Sequence, residues 1–174
     1  MRIMKRDQWI KLILTWALYV GLHFIYKIIP CNLTFLLGCP EETIFHHMKM
    51  AFLSYSLVGV GEYIVIRPEK IKAFLNSRMI AAILFSYFTF IIWYFYPAVF
   101  GPIEHVAGEI IYSNFILGIS LFATIILETH FMKISYTRTA ATIIPVFYLI
   151  ILTVFIISTF NTPHIDVFSP HVHH

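Results

Sequence analysis

GPIEHVAGEIIY, residues 101–112, is the stretch that decides how this chain is read. It opens a segment that stays apolar to about residue 128, and it carries Glu104, His105 and Glu109 where lipid tolerates no charge. His105 and Glu109 are four residues apart, so in a helix they share one face, with Tyr112 a turn further along. A charged group at membrane depth is costly and by default marks a function.

The rest of the composition agrees with that setting. Of 174 residues, 59% are hydrophobic and 12% charged, with a mean hydropathy of +0.81. Soluble domains carry roughly 25% charged residues, so a soluble globule with one core is excluded. The expectation is an all-α integral membrane helical bundle, a single transmembrane domain over residues 1–174 with the lipid bilayer as its first partner. The formal net charge of +3 is too small to argue for nucleic acid. The location implied is a cell membrane, the cytoplasmic membrane in a prokaryote.

Five spans follow from runs of about 20 apolar residues. They are expected at about 9–30, 40–66, 79–100, 102–128 and 139–160, with a polar, histidine-rich tail at 161–174. The basic start could belong to a cleaved signal peptide, but the run after it is long for one and lacks a small-x-small site, so it reads as a retained first span. RPEKIKAFLNSR, residues 67–78, reads as a polar loop, and Pro145 as a kink in the fifth span.

Basic residues set the expected orientation. Arg2, Lys5, Arg6, Lys11, Arg67, Lys70, Lys72, Arg78, Lys133 and Arg138 fall on one side, and only Lys27 and Lys49 on the other. That asymmetry predicts the N-terminus inside and the C-terminus outside. His23, His46, His47, His105 and His164, with Glu41, Glu42, Glu104, Glu109 and both cysteines, then gather on the outer face.

Some of these residues have ordinary explanations. Glu41, Glu42 and Glu104 each follow a proline suited to the first position of a helix, where acids complement the helix dipole. His23, flanked by aromatics, reads as a hydrogen-bonded structural histidine. Glu62 and Glu128, near inner span ends, read as snorkelling or as paired with basic inner loops. Glu109 is harder to explain this way, because it lies roughly 10 Å along the helix from Pro102. A carboxylate there binds a cation, meets a histidine or stays protonated. Cys31 and Cys39 read as a disulfide across the outer connector or as a soft metal pair. The terminal HVHH reads as a flexible metal collector or an appended remnant.

CPEETIFHHMKMAF, residues 39–52, resembles a stretch found in a family of small uncharacterised bacterial five-span integral membrane proteins. Glu42, His47 and Lys49 match that pattern, while Glu41 stands for an asparagine and His46 for a glutamate. His105 with Glu109, and Pro163 with His164, match its other short motifs. The resemblance implies the five-span architecture and this choice of polar residues, and no activity.

Imidazole with carboxylate is ligand chemistry for zinc, iron or copper. The expected function is a multi-pass membrane protein binding such an ion at an outward-facing site between helices, for metal uptake, sensing or delivery. The expected ligands are His105, Glu109, His47, His46, Glu42 and His164, with Tyr112, Lys49 and Glu104 beside them. A membrane-embedded metal-dependent hydrolase is an alternative, although no H-E-x-x-H is present. A b-type haem or quinone protein, with His23 and His46, His47 or His105 as axial ligands, is a third reading. A structural subunit of a membrane complex is a fourth, and a homo-oligomer is compatible with all of them.

Overall fold

A computed structural model describes residues 4–101, 103, 105–161 and 163. Among these there are six helices and no strand: α1 (Arg6–Ile28), α2 (Asn32–Leu37), α3 (Ile44–Ile66), α4 (Ile71–Phe100), α5 (Val106–Phe131) and α6 (Arg138–Phe160). All but α2 are long and apolar enough to cross a membrane.

Local chemistry sets the boundaries. Thr43 and Thr137 are extended N-caps whose hydroxyls each accept a backbone N–H from the first turn, at 3.2 Å from His46 and 3.2 Å from Ala140. Arg67, in the left-handed region at φ 48°, closes α3 just before Pro68. Gly101, at φ 85°, closes α4, a conformation that favours glycine. The serine and threonine hydroxyls inside the spans turn back on their own helices, as Thr15 does to the Lys11 carbonyl at 2.8 Å and Thr89 to Phe85 at 2.8 Å. This satisfies polar groups where water is absent.

Three boundaries differ from the sequence reading. The polar loop ends at Lys70, and residues 71–78 are the first turns of α4. Past Pro68 nothing there breaks a helix, and Phe74 is buried against Tyr63 and beneath the Arg78 guanidinium, 4.1 Å from its ring centre. The second span starts at Ile44, so Glu41 and Glu42 precede the helix and do not occupy its first turn. The outer connector contains α2, a helix the sequence reading lacked.

The long helices alternate in direction. α4 packs between α3 and α5, α1 lies against α3 and α5, and α6 lies on α4 with its last turn against α2. Phe52, Tyr55, Ala81, Ala82, Phe85, Leu121 and Phe155 form the core. The alanines let α4 approach its neighbours closely. Ile64, Val65, Ile111, Phe115, Phe147 and Ile150 project outward, an apolar exterior of the kind that faces lipid rather than water.

One end of the bundle is locked by buried charge. Lys11 Nζ lies 2.8 Å from Glu62 Oε2 and 2.6 Å from Glu128 Oε2. Arg78 reaches the same two acids, Nε to Glu62 at 3.1 Å and Nη1 to Glu128 at 2.9 Å. Tyr55 donates its hydroxyl to Glu128 at 2.7 Å, and Lys11 sits 4.5 Å above the Tyr55 ring centre. Two cations balance two carboxylates, joining α1, α3, α4 and α5. Glu62 and Glu128 therefore pair, as expected, with a basic residue of the 67–78 stretch, Arg78, which the structure places in α4, and also with Lys11 of α1. Glu128 is buried rather than snorkelling.

Candidate functional site

The opposite end of the bundle carries the candidate site. Tyr19, His23 and Lys27 recur every four residues on α1 and so share one face. The chain then leaves α1 and doubles back through α2. The Thr34 hydroxyl accepts the Cys31 N–H at 3.0 Å and donates to the Ile29 carbonyl, which ties the start of α2 to the end of α1. At the other end of α2, Gly38 lies against backbone: a Cβ there would be 2.8 Å from the Thr34 carbonyl oxygen and 2.9 Å from that of Leu22. Only glycine allows this approach, and it delivers the next residue, Cys39, to a buried position beside α1. Thr43 caps α3 four residues later, which leaves Glu42 just outside the helix and His47 in its first turn.

These elements bring four donor groups together. Sγ of Cys39, a ring nitrogen of His23, a ring nitrogen of His47 and a carboxylate oxygen of Glu42 all lie within 4.8 Å of one another. Glu42 is central: Oε1 is 3.5 Å from His23 Nε2, and Oε2 is 3.6 Å from His47 Nε2 and 3.9 Å from Cys39 Sγ. Lys27 Nζ donates to Oε1 at 2.8 Å. The His23 and His47 rings stack with centroids 5.5 Å apart and planes 14° from parallel. Tyr19 Oη lies 2.8 Å from His47 Nδ1, and the Trp93 ring stacks with that of His47, centroids 6.3 Å apart.

The electrostatics follow from this geometry. Burial alone would raise the Glu42 carboxyl. The Lys27 hydrogen bond and the neighbouring imidazoles outweigh it and hold the group below the usual carboxylate range. Burial, with the Glu42 charge adding to it, pushes the Cys39 thiol up to about 12. The thiol donates to the Glu41 carbonyl at 3.0 Å. Cys31 is exposed and Cys39 buried, both free thiols, so the connector carries no disulfide.

The cluster forms the end of a cavity of about 640 Å³ between α1, α4 and α5. Trp16, Val20, Phe24, Trp93, Ile110 and Leu117 make its walls, with Glu109, Ser113 and Asn114 along α5.

The residues named from the sequence separate. Glu42 and His47 are in the cluster, and Glu109 lines the cavity beside it. His46 turns away into the protein, 2% exposed, with Nδ1 2.7 Å from the Thr43 hydroxyl. Lys49 is likewise buried, its Nζ 3.3 Å from the Thr159 hydroxyl and 3.5 Å from the Phe35 carbonyl. His105 is the exposed N-cap of α5, its carbonyl accepting the Glu109 N–H at 3.0 Å. Tyr112 donates to the Ile92 carbonyl at 2.8 Å and pins α5 to α4. Glu104, His164 and the rest of the histidine tail lie outside the described residues.

His23, Cys39 and Tyr19 complete the site: the sequence points to His23 as a ligand only for haem, to Cys39 only in a soft metal pair with Cys31, and not to Tyr19. The four-residue spacing of Tyr19, His23 and Lys27 is a signal that could have found the α1 face. Cys39 is placed by tertiary contacts alone.

The donor set fits a metal. One thiolate, two imidazoles and one carboxylate suit tetrahedral zinc, whose ligand atoms sit roughly 3.3–3.7 Å apart at ordinary bond lengths. The widest separation in the cluster, 4.8 Å, closes to that with shifts of about 1 Å. Comparison with protein-family models, curated proteins and solved structures finds no match to this chain.

Proposed function

We propose that this is a multi-pass membrane protein that holds a transition metal ion, zinc before iron or copper, on His23, Cys39, Glu42 and His47. The observation that carries the reading is the convergence of four donor atoms from α1, the α2–α3 connector and α3 within 4.8 Å. Mixed sulfur, nitrogen and oxygen ligands favour zinc, iron or copper over magnesium or calcium. The basic-residue asymmetry puts the site on the outward face, with the N-terminus inside. A half-exposed Glu42 at the rim gives the ion a way in, so uptake, sensing or delivery of the metal is the function proposed.

A second reading is favoured by one observation. Glu109 lines the same cavity as the cluster. With Glu42 off the ion and a water in its place, so that three protein ligands remain, Glu109 would have the position of a general base in a metal-dependent hydrolase.

The test is elemental mass spectrometry on protein purified in detergent through a non-histidine tag without chelator. Near-stoichiometric metal, lost in His47→Ala, Glu42→Gln and Cys39→Ser but kept in His105→Ala and His46→Ala, is the expected result. Wild type without metal, or metal unaffected by the first three substitutions, would overturn the reading. Glu109→Gln with metal retained but hydrolysis of model esters abolished would select the second reading.

A further inference from the structure

The cavity has two unlike ends. One is the polar cluster, where Lys27 also lies, its Nζ 5.7 Å from the Phe24 ring centre. The remainder is mostly apolar, walled by side chains such as Trp93 and Leu117, with Glu109, Ser113 and Asn114 along α5. Its polar end reaches the surface, where Glu42 and Val106 line it and are exposed. Trp16 and Phe24 on α1, and Ile110 and Asn114 on α5, line the cavity and are themselves exposed on the outside of the bundle. A second, sideways opening therefore lies between α1 and α5. Those outer faces are the ones a bilayer would cover. Trp16 Nε1 donates to Asn114 Oδ1 at 3.3 Å across the gap, a single weak bond that a ligand can displace.

We infer that the cavity binds a single-chain amphiphile that enters from the lipid between α1 and α5, its anionic oxygen head group against the cluster and its chain along Trp93 and Leu117. The volume, about 640 Å³, is that of a site for one small organic ligand and too small for a two-chain lipid. A mostly apolar wall with a few convergent polar groups is how such sites combine affinity with orientation. On the metal reading the head group meets the ion and Lys27, which holds Glu42 at 2.8 Å. His23 and His47 are neutral as ligands, so with the Glu42 carboxylate and Cys39 thiolate counted the loaded cluster keeps one net positive charge, and Glu109 lies further along the wall. This inference deepens the metal reading and rests on it for the strength of the head-group contact. A carboxylate and a phosphate head share the required chemistry.

The protein's three tryptophans allow a direct test. Trp9→Phe with Trp16→Phe leaves Trp93, on the cavity wall, as the sole fluorophore. In nanodiscs, this variant is titrated with 9,10-dibromostearate, dibrominated lysophosphatidate and headless dibromo-octadecane. The expected result is saturable quenching by the two anionic probes and competition by stearate. It also includes at least tenfold weaker binding after chelation, and loss of the saturable phase in either Ser113→Phe or Leu117→Phe. Whichever anionic probe binds tighter identifies the head group. Quenching that rises linearly, ignores stearate, or is matched by the headless probe would overturn the inference. Saturable, head-group-selective quenching in protein that retains no metal would refute the metal reading while supporting this one.

Discussion

Tyr19 Oη lies 2.8 Å from Nδ1 of His47, and this contact fixes which way the imidazole faces. With Nδ1 engaged, Nε2 is the nitrogen turned toward Glu42, 3.6 Å away. For Nε2 to bind a metal, Nδ1 must carry the proton and donate it to Tyr19, the outer-shell arrangement typical of histidine ligands.

Removing that partner leaves the ligand in place but loosens it. Tyr19→Phe is expected to weaken zinc binding about 10- to 100-fold, the usual effect of losing an outer-shell hydrogen bond. Competition titration against a zinc chelator measures it, with circular dichroism confirming unchanged helix content.

Gly38 is the hinge on which Cys39 depends. An added Cβ would press on two backbone oxygens at 2.8 and 2.9 Å, which cannot move aside as a side-chain end can. Gly38→Ala is expected to cost about 1–3 kcal/mol, as overpacking does, and to lower metal affinity with it. Gly118→Ala, inside α5 with nothing within 4 Å of the new carbon, serves as the control: it leaves metal affinity unchanged and does not lower stability. Unfolding in mixed micelles reads the first effect and metal competition the second.

The buried charge network makes a prediction independent of the site. Glu128→Gln strands Lys11 and Arg78 against a single carboxylate and is expected to destabilise by about 3–5 kcal/mol. Lys11→Met together with Glu128→Gln leaves Arg78 paired with Glu62, so the double variant should lose less than the sum of the two single ones. A double-mutant cycle of unfolding free energies checks this. Metal content should stay at the wild-type level throughout, because the network and the cluster lie at opposite ends of the bundle.

Thiol labelling reports orientation. Cys31 is exposed and its thiol lies below the usual range, through the hydrogen bond with the Thr34 side chain, whereas Cys39 is buried. In intact cells, a membrane-impermeant maleimide is expected to label Cys31 and spare Cys39. Labelling that requires opening the cells would reverse the proposed topology.

How much of this was legible in the sequence depends on which interactions decide each feature. The long helices were, because the length of an apolar run is local information and a bilayer core sets its scale. Their polar ends were not: residues 71–78 look like a loop until Phe74 is seen packing under Arg78. Glu42 and His47 could be named from type and position, but His46 could not be told from His47. Neighbours on a helix point about 100° apart, and which one faces the site depends on where α3 packs. His23 was read as structural because its aromatic neighbours are what the sequence displays, while its partner Glu42 is nineteen residues away. Cys39 depends on a turn at Gly38 whose tightness is set by contacts with Thr34 and Leu22.

The most direct measurement of the central claim is zinc K-edge X-ray absorption on the purified, zinc-loaded protein. The account predicts a four-coordinate shell with one sulfur at about 2.3 Å and three lighter ligands, and loss of the sulfur alone in Cys39→Ser. A shell without sulfur in the wild type, or one unchanged by that substitution, would contradict it.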